Sequence, residues 1–399
     1  MFPLVEIHQI SEKATSTNGD STLIRYTDHF KKNNILIDCG LKNAVVSDYL
    51  KSIGVTELDL MIASHIDRDH IGGLNSVLND VDVKELWIMN VNPFKQFIEK
   101  SIGFNMEKAH FLRCFVAAHE SIRTAKGKNV RCVSVYEGYK DVVGPFFLEV
   151  LWPPYHFEGF LEDPANVKGI LETGKGKTYK KFLEEMREKG NKPQDIETEI
   201  AGPKEVDLEE LNWISKYVKD FKDYPEETFV KNFDLASRGL LNNVSIVVRI
   251  TCLSPPCSLN NRFGALVMLF PGDLEDWAYL YSKYFRYIEA DILKIPHHGS
   301  RKVEINGKSL YTFLNPRLSL LFPLPQCSLP THDVRNLLVR TNLLSCTSCK
   351  GSSPSKIMNQ SCYYDYNCFP MNTAIYKISS LGFSLSDGRN ICAGLLKPQ

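Results

Sequence analysis

Short apolar stretches of strand length recur along the chain, and most of them are rich in β-branched residues. Each stretch ends in Gly, Pro, Asp or His, which is typical of a strand that runs into a turn. Helical patterns such as IGGLNSVLNDV separate some of the strands, and residues 94–125 are expected to hold two more helices. The chain is therefore predicted to be a mixed α/β protein without a strict βαβ repeat. The predicted strands are NNILIDCG (33–40), LDLMIASH (58–65), VKELWIMN (83–90), VRCVSVYEG (130–138), FFLEVLWPP (146–154), SIVVRI (245–250), GALVMLFPGD (264–273), DILKIPHHGS (291–300) and LSLLFPLP (318–325).

The pattern changes in the middle of the chain, where charged residues dominate. YKKFLEEMREKG and DLEELNWISKYVKDF read as amphipathic helices joined by a link that contains Pro and Gly. We expect this segment to be a helical insertion on the α/β body, either a solvated helical pair without chemistry or a lid that gates substrate. The predicted division is 1–156 as the first half of one domain, 157–238 as the insertion, 239–340 as the second half, and 341–399 as a Cys-rich loop with terminal strands that complete the domain.

Composition narrows the classes of partner and compartment. The hydrophobic fraction of 43% and charged fraction of 24% are normal for a soluble globular protein. The formal net charge of zero gives no basic excess for coating nucleic acid, so a confined site is favoured over an extended one. No apolar run approaches the roughly 20 residues of a membrane helix, and no signal peptide is recognised, so no membrane partner is expected. The 11 cysteines are interpreted as reduced thiols of a cytoplasmic protein.

The segment SHIDRDHIGG, residues 64–73, places four metal-capable side chains on the loop between a strand and a helix. A loop follows neither helical nor sheet periodicity, so these side chains can converge. Imidazole nitrogen and carboxylate oxygen both bind Zn²⁺ at about 2.0–2.2 Å. Four such groups exceed what one metal with an open position needs from a single loop, which points to two metals that share further ligands. The alternative is an ordinary surface loop with helix-capping aspartates. The four side chains are those of His65, Asp67, Asp69 and His70.

Three more predicted strands end in the same kind of residue. LIDCG ends in Asp38, FPGD ends in Asp273, and KIPHHGS carries His297 and His298. Four strand ends with Asp or His are unexpected by chance, and they favour a single metal centre over an ordinary loop.

These motifs resemble the metallo-β-lactamase-fold hydrolases, whose central signature is HxHxDH. The sequence has HxDxDH, a variant similar to the metallo-hydrolase domain of ComEC-type DNA-uptake proteins and their stand-alone soluble relatives. LIDCG, LWPP, NNVSIVVRI, LFPGDLE and ADILKIPHHGS fit the same subgroup. The resemblance covers roughly residues 5–155 and 238–335. It implies an αββα four-layer sandwich, two mixed sheets packed face to face between outer helices, with the metals at one sheet edge.

The resemblance also implies a ligand set. His65 and Asp67 would hold one metal, Asp69 and His70 the other, and Asp273 would bridge them. One of the two adjacent histidines would complete the second metal, and both His297 and His298 remain candidates. Asp38 would orient a metal ligand or its loop without binding the metal itself. Asp69, His298 and Asp38 are the predicted catalytic residues.

The sequence departs from the family pattern at two places. Asn242 or Asn243 stands near the position of a family histidine, which together with Asp67 makes the first metal position rich in oxygen ligands. Because hard cations prefer oxygen ligands, Mn²⁺ and Mg²⁺ are candidates for the two divalent metals in addition to Zn²⁺. A family histidine is also replaced by Leu329, and His332 lies three residues further on as a possible substitute.

The predicted reaction is hydrolysis by a hydroxide that two metals activate. The subgroup resemblance implies a phosphodiesterase or nuclease acting on DNA, and Ser300 and Arg301 are candidate phosphate contacts. Two alternatives stay open: a hydrolase of a small ester, lactone or thioester on the same site, and a binding or sensor module with a structural metal. A separate structural zinc site is predicted from the spacing C-x2-C-x12-C-x5-C, with reduced cysteines in a loop as the alternative. Its residues are Cys346, Cys349, Cys362 and Cys368.

Overall fold

The structure is a computed structural model of the whole chain. The residues that it describes are 3–10, 19–41, 44–95, 107–163, 165–166, 181, 184, 202–214, 241–252, 265–305, 308–314, 316–324, 329–331, 333–334, 343–346, 374–379, 382–385 and 391–392.

Two large sheets dominate the described residues, and we number their strands along the chain. In the first sheet β3, β5, β7 and β8 are parallel, whereas β1 and β2 run antiparallel to their neighbours. Across this sheet the strands are β11 (Lys204–Glu205), β8 (Arg131–Ser134), β7 (Glu85–Ile88), β5 (Leu60–Ala63), β3 (Lys32–Ile37), β2 (Thr22–Thr27), β1 (Leu4–Gln9), β19 (Ala374–Ser379) and β20 (Gly382–Leu385).

The second sheet has the same mixed character. Its strands β13, β14, β17 and β18 are parallel, and β12 joins them antiparallel. Across this sheet the strands are β21 (Ile391–Cys392), β18 (Leu343–Cys346), β17 (Leu318–Leu321), β14 (Ile292–Lys294), β13 (Leu266–Phe270), β12 (Val247–Cys252), β10 (Phe146–Trp152) and β9 (Lys140–Val143). Two short pairs stand apart, β4 (Glu57–Leu58) with β6 (Asp82–Val83), and β15 (Glu304–Ile305) with β16 (Lys308–Ser309).

The helices lie outside the sheets. The described α-helices are α1 (Val45–Ser52), α2 (Arg68–Ile71), α3 (Leu74–Asp80), α4 (Glu107–Gly127), α5 (His156–Glu162) and α6 (Ala278–Tyr284). Short 3₁₀ turns occur at Asn92–Phe94, Phe285–Ile288, Pro296–Gly299 and Leu310–Thr312. None of the helices in the described part of the chain is long and apolar enough to cross a membrane.

Alternation along the strands builds the layers. On β3 and β5, Ile35 and Ile62 face the second sheet, where they share a core with Val248 and Met268. The intervening residues of the same strands point outward and pack with helix residues such as Leu74. Because side chains alternate across a strand, each sheet supplies one face to the central core and the other to a helical layer. The αββα sandwich that the resemblance implied is confirmed.

The segment predicted as an insertion is only partly within the described residues. The predicted helix YKKFLEEMREKG lies almost entirely outside them, whereas DLEELNWISKYVKDF is described as far as residue 214, with a turn at 208–211 and helical residues at 212–214. The described remainder is integrated into the body, because β11 adds an edge strand next to β8 and Trp213 packs against Phe115 of α4. The terminal strands also complete the body, with β19 pairing with β1 and β21 pairing with β18.

Candidate metal centre

Parallel strands of both sheets end at one edge of the sandwich, and the polar strand-end residues meet there. Asp38 follows β3 directly and has φ of 57°, an uncommon value for a residue other than glycine. Its carboxylate accepts hydrogen bonds from the backbone N–H of Ser64 at 2.8 Å and from the Ser64 hydroxyl at 2.9 Å. Oδ2 of the same carboxylate lies 2.8 Å from Nδ1 of His70. Asp38 thereby ties the end of β3 to the SHIDRDHIGG loop and orients the His70 ring.

The loop closes tightly around this point. Asp67 precedes α2, which carries Asp69 and His70. A Cβ atom at Gly72 would lie 2.1 Å from the carbonyl oxygen of Leu41, so only glycine permits this approach. The loop therefore holds His70 close to the end of β3.

The second sheet brings its residues through two left-handed turns. Gly272, with φ of 55°, turns the chain after β13, and the Asp273 N–H donates to Ser245 Oγ at 3.0 Å. After β14, His297 and His298 have φ of 45° and 52°. Such strained backbone is concentrated at functional sites. Asp273 and His298 thus face the first sheet's loop from the opposite side.

Four buried residues converge to form a candidate metal-binding cluster. One metal-capable atom from each lies within 4.8 Å of the others. His70 Nε2 is 3.4 Å from Asp273 Oδ1, and His298 Nε2 is 3.4 Å from Asp273 Oδ2. The Asp69 carboxylate adjoins this cluster, with Oδ2 2.9 Å from His298 Nε2. The members of the cluster are Asp20, His70, Asp273 and His298.

The adjacent histidines take different directions. The His298 side chain is 1% exposed, and its Nδ1–H donates to the carbonyl of Phe322 at 2.8 Å, which aims Nε2 at Asp273. The His297 side chain is 16% exposed and turns toward Glu275, with Nδ1 3.2 Å from Oε1. The structure therefore brings His298 into the cluster and leaves His297 at its rim.

The first metal position predicted from the sequence is looser. His65 Nε2 is 3.9 Å from Asp67 Oδ2, and this nitrogen is buried without a hydrogen-bond partner. Asn243 Oδ1 accepts hydrogen bonds from the backbone N–H groups of Glu275 and Asp276, so it holds the turn after Asp273 in place. Asn242 donates from Nδ2 to Glu275 Oε1 at 3.1 Å, and its Oδ1 is buried without a partner.

Two residues of the centre were not among the ligands predicted from the sequence. Asp20 precedes β2, whereas the predicted ligands follow strands, and Lys294 ends β14 within an apolar run. The Lys294 side chain is 4% exposed, so its charge is buried. Its ammonium contacts the Asp20 carboxylate and donates to Asp273 Oδ1 at 2.9 Å. A lysine inside an otherwise apolar strand was the one signal available, since lysines are almost never buried unpaired.

The surroundings of the centre's histidines shift their pKa values in opposite directions. Burial, and then the charge of His70, lower the pKa of His65 far below its ordinary value, which keeps this ring neutral. Burial also disfavours charge on His70 and His298. The carboxylates around them, led by Asp38 for His70 and by Asp273 for His298, outweigh burial and raise both pKa values well above the ordinary one.

The carboxylates are held ionised despite their burial. Burial raises the pKa of Asp273, but Lys294 and then His298 lower it well below its ordinary value. The pKa of Asp69 is likewise lowered overall, since His70 and His298 outweigh burial. Burial also raises the pKa of Asp20, but Lys294 and then His298 lower it overall. The centre is thus a buried concentration of negative charge that needs cations near it.

The remaining predicted residues lie at the margin or outside the described chain. Ser300 is buried, and its hydroxyl accepts the N–H of Lys302 at 3.2 Å, whereas Arg301 is exposed next to it. His332 lies outside the described residues. Cys346 ends β18, and the other three cysteines of the predicted zinc site lie outside the described residues, so that site stays a prediction.

Comparison with known proteins finds a family match over the first part of the chain. Residues 14–146 match the model of the metallo-beta-lactamase superfamily, most of whose members are metal-dependent hydrolases. Over these residues the match supports, at the superfamily level, the resemblance predicted from the sequence. The ComEC-type subgroup stays a prediction. The search of curated proteins gave no match.

Several solved structures are similar to the chain at low identity. The metallo-beta-lactamase fold protein YhfI from Bacillus subtilis is 12% identical with a TM-score of 0.38, over 86% of this chain and 96% of that one. AidC, a dizinc quorum-quenching lactonase, is 15% identical with a TM-score of 0.24, over 47% and 83%. MEM-A1, a subclass B3 metallo-beta-lactamase from a soil metagenome library, is 13% identical with a TM-score of 0.21, over 37% and 55%.

Proposed function

We propose that the chain is a metal-dependent hydrolase of phosphodiester bonds and that DNA is its substrate. The observation that carries the proposal is the buried cluster of Asp20, His70, Asp273 and His298 at the edge where both sheets end. Strand-end loops at such an edge are where α/β proteins place their binding sites.

The residues present fit a divalent metal. Nε2 of His70 and Nε2 of His65 are both buried without a hydrogen-bond partner. Buried polar atoms are nearly always satisfied, so these two nitrogens indicate a partner such as a cation. Carboxylate oxygen and imidazole nitrogen, the donors found here, are those that Zn²⁺ and Mn²⁺ accept.

The candidate ligands form two groups. Asp69, His70, Asp273 and His298 would hold a metal, and His65 with Asp67 mark the second position that the family resemblance implies. A bound divalent metal would supply a hydroxide near neutral pH and stabilise negative charge on the phosphate oxygens.

The chain's own residues set up that chemistry. Asp38 keeps Nδ1 of His70 engaged so that Nε2 faces the cluster. Asp69, whose side chain is 19% exposed, is more accessible than the buried carboxylates of Asp20 and Asp273 next to it and is placed to hold a proton from an attacking water. Ser245 fixes the backbone at Asp273.

Phosphodiester substrates are favoured by two features. The donor set is rich in carboxylate oxygen, which suits the hard cations that commonly act on phosphates. Arg301 is exposed directly after the His298 turn, where a guanidinium is placed to bind a phosphate oxygen. The zero net charge favours local capture of a strand over an extended interface.

The test measures metal content and cleavage in one preparation. Fluorescent single- and double-stranded DNA are incubated with wild type, Asp69→Asn and His298→Asn in Zn²⁺, Mn²⁺ or Mg²⁺. Asp59→Asn, which changes a carboxylate at the far end of β5, is the matched control. We expect cleavage by wild type and Asp59→Asn, and at least a ~100-fold loss in the other two.

Other outcomes redirect the proposal. Bound metal without DNA cleavage, accompanied by turnover of a lactone, thioester or simple ester, would establish a small-molecule hydrolase. Absence of bound metal and of turnover in every ion would leave a binding module as the function of this fold.

A further inference from the structure

We propose that the buried ammonium of Lys294 takes the place of the second metal, so that the centre holds a single divalent cation. The proposal rests on the metal binding argued above and deepens it. It replaces the pair of metals that the family resemblance implies with one metal and one fixed ammonium.

The surroundings of Lys294 are those of a bound cation. The side chain is 4% exposed. Its Nζ donates to the carbonyl of Gly272 at 2.7 Å and to Asp273 Oδ1 at 2.9 Å, and it forms an ion pair with Asp20. An ammonium has three N–H donors, and here it meets three oxygen acceptors. All three N–H donors of the Lys294 ammonium are therefore engaged.

Lys294 also changes what Asp273 can offer. Oδ1 of Asp273 receives both the Lys294 ammonium and the backbone N–H of His297, at 3.1 Å. A carboxylate oxygen has about two lone-pair sites, so these donors occupy Oδ1. Oδ2 remains, on the side of His298 at 3.4 Å. Asp273 is thereby left with one oxygen for one metal, rather than one oxygen for each of two.

The other metal position is poor in ligands. His65 supplies one imidazole and Asp67 one carboxylate, 3.9 Å apart. The next side chain, Asn242, has its amide nitrogen engaged by Glu275 and offers only its neutral amide oxygen. Metal sites in enzymes generally use three protein ligands or more, drawn from Cys, His, Asp and Glu. Without an oxygen from Asp273, this position has only two ligands of that kind.

The buried charge of the centre agrees with this role of Lys294. Asp20, Asp38 and Asp273 are all buried, and buried carboxylates require nearby positive charge. Lys294 supplies part of that charge covalently, so it cannot be removed by a chelator.

The experiment counts metals without depending on turnover. Wild type, Lys294→Met and Lys84→Met are loaded with Mn²⁺, dialysed and analysed for metal and by electron paramagnetic resonance. Lys84 is the matched control, because it also pairs with two carboxylates, Glu57 and Asp59, but is exposed and away from the centre. Circular dichroism checks that each variant is folded.

We expect about one Mn²⁺ per chain in wild type and Lys84→Met, with the six-line spectrum of an isolated ion. Removing the ammonium frees Asp273 Oδ1, so Lys294→Met should bind about two Mn²⁺ and show a spin-coupled spectrum. A merely structural lysine would not produce this gain.

Two results would overturn the proposal: about two coupled Mn²⁺ ions in wild type, or a folded Lys294→Met that still binds about one. If Lys294→Met does not fold, the wild-type spectrum decides alone. Wild type that binds no metal would refute the proposed function itself, which is a distinguishable outcome.

Discussion

Nδ1 of His70 lies 2.8 Å from Oδ2 of Asp38, and Nε2 on the far side of the same ring lies 3.4 Å from Oδ1 of Asp273. The ring therefore connects a carboxylate behind the centre to one inside it. An imidazole held through one nitrogen presents the other to a metal in a fixed tautomer.

Changing Asp38 to asparagine should misdirect this ring. The amide would present N–H to Nδ1 of His70, which moves the ring proton to Nε2 and blocks it as a ligand. We expect metal affinity to fall by about 10–100-fold, measured by competition with a chromophoric chelator. Asp59→Asn, an equally conservative change remote from the centre, should leave affinity unchanged. Equal losses in both variants would show that Asp38 only stabilises the fold.

The two adjacent histidines should behave differently when each is changed to asparagine. Asparagine tolerates the left-handed backbone that both positions adopt, so strain is matched between the variants. His298→Asn should lose most of the bound metal, because His298 Nε2 faces Asp69 and Asp273. His297→Asn should retain it. Elemental analysis after dialysis decides, and metal loss in His297→Asn alone would reverse the assignment.

Gly272→Ala should damage both stability and metal binding. Its φ is 55°, and an added Cβ would lie 2.8 Å from Ser245 Cβ and 2.9 Å from Ser64 Oγ. Gly54 offers a matched control, since its φ is 69° and its Cβ would meet nothing within 4 Å.

Gly54→Ala should lower the free energy of unfolding by roughly 1–2 kcal/mol from backbone strain alone. Gly272→Ala should cost about 1–3 kcal/mol more because of overpacking, and it should weaken metal binding by displacing Asp273. Urea unfolding and chelator competition measure the two effects. Equal unfolding free energies for the variants would contradict the steric argument.

Ionisation of the buried Cys132 thiol should lower the free energy of unfolding at alkaline pH. Burial raises the pKa of its thiol from 9.0 to about 11. Because the folded pKa lies above the unfolded one, the stabilisation is fully present below pH 9.0 and is lost as the pH rises toward about 11.

Urea unfolding of wild type and Cys132→Ala at about pH 8 and about pH 10.5 tests this. The wild type should lose more stability across the interval than the variant, whose other titrating groups are unchanged. In the folded wild type at about pH 8, this thiol should also resist alkylation. Parallel pH profiles for the two proteins would rule out the effect.

The strand pattern predicted a mixed α/β chain, whereas the four layers were implied by the family resemblance. Asp38, His65 and Asp273 each follow an apolar run, and the ends of parallel strands meet at one sheet edge, so the strand pattern pointed to these residues as neighbours. Asp20 was not predicted because it precedes its strand. It lies at the same edge only because β2 runs antiparallel to β3.

Other features depend on contacts that a linear pattern does not contain. The choice between His297 and His298 is made by two successive left-handed residues, and sequence alone gives no sign of that turn. The burial of Lys294 depends on Asp20, which lies in a distant part of the chain. Pairings across such separations appear only once the two sheets are packed.

The order of the centre's residues along the chain has a consequence for its synthesis. Asp20, His65 and His70 emerge from the ribosome long before Asp273 and His298, with the charged middle segment between them. One edge of β1 pairs with β19, so it stays unpaired until β19 has been synthesised. A nascent chain therefore carries only half of the cluster of Asp20, His70, Asp273 and His298, and under the proposed function the complete set of metal ligands would exist only after residue 298 has been translated.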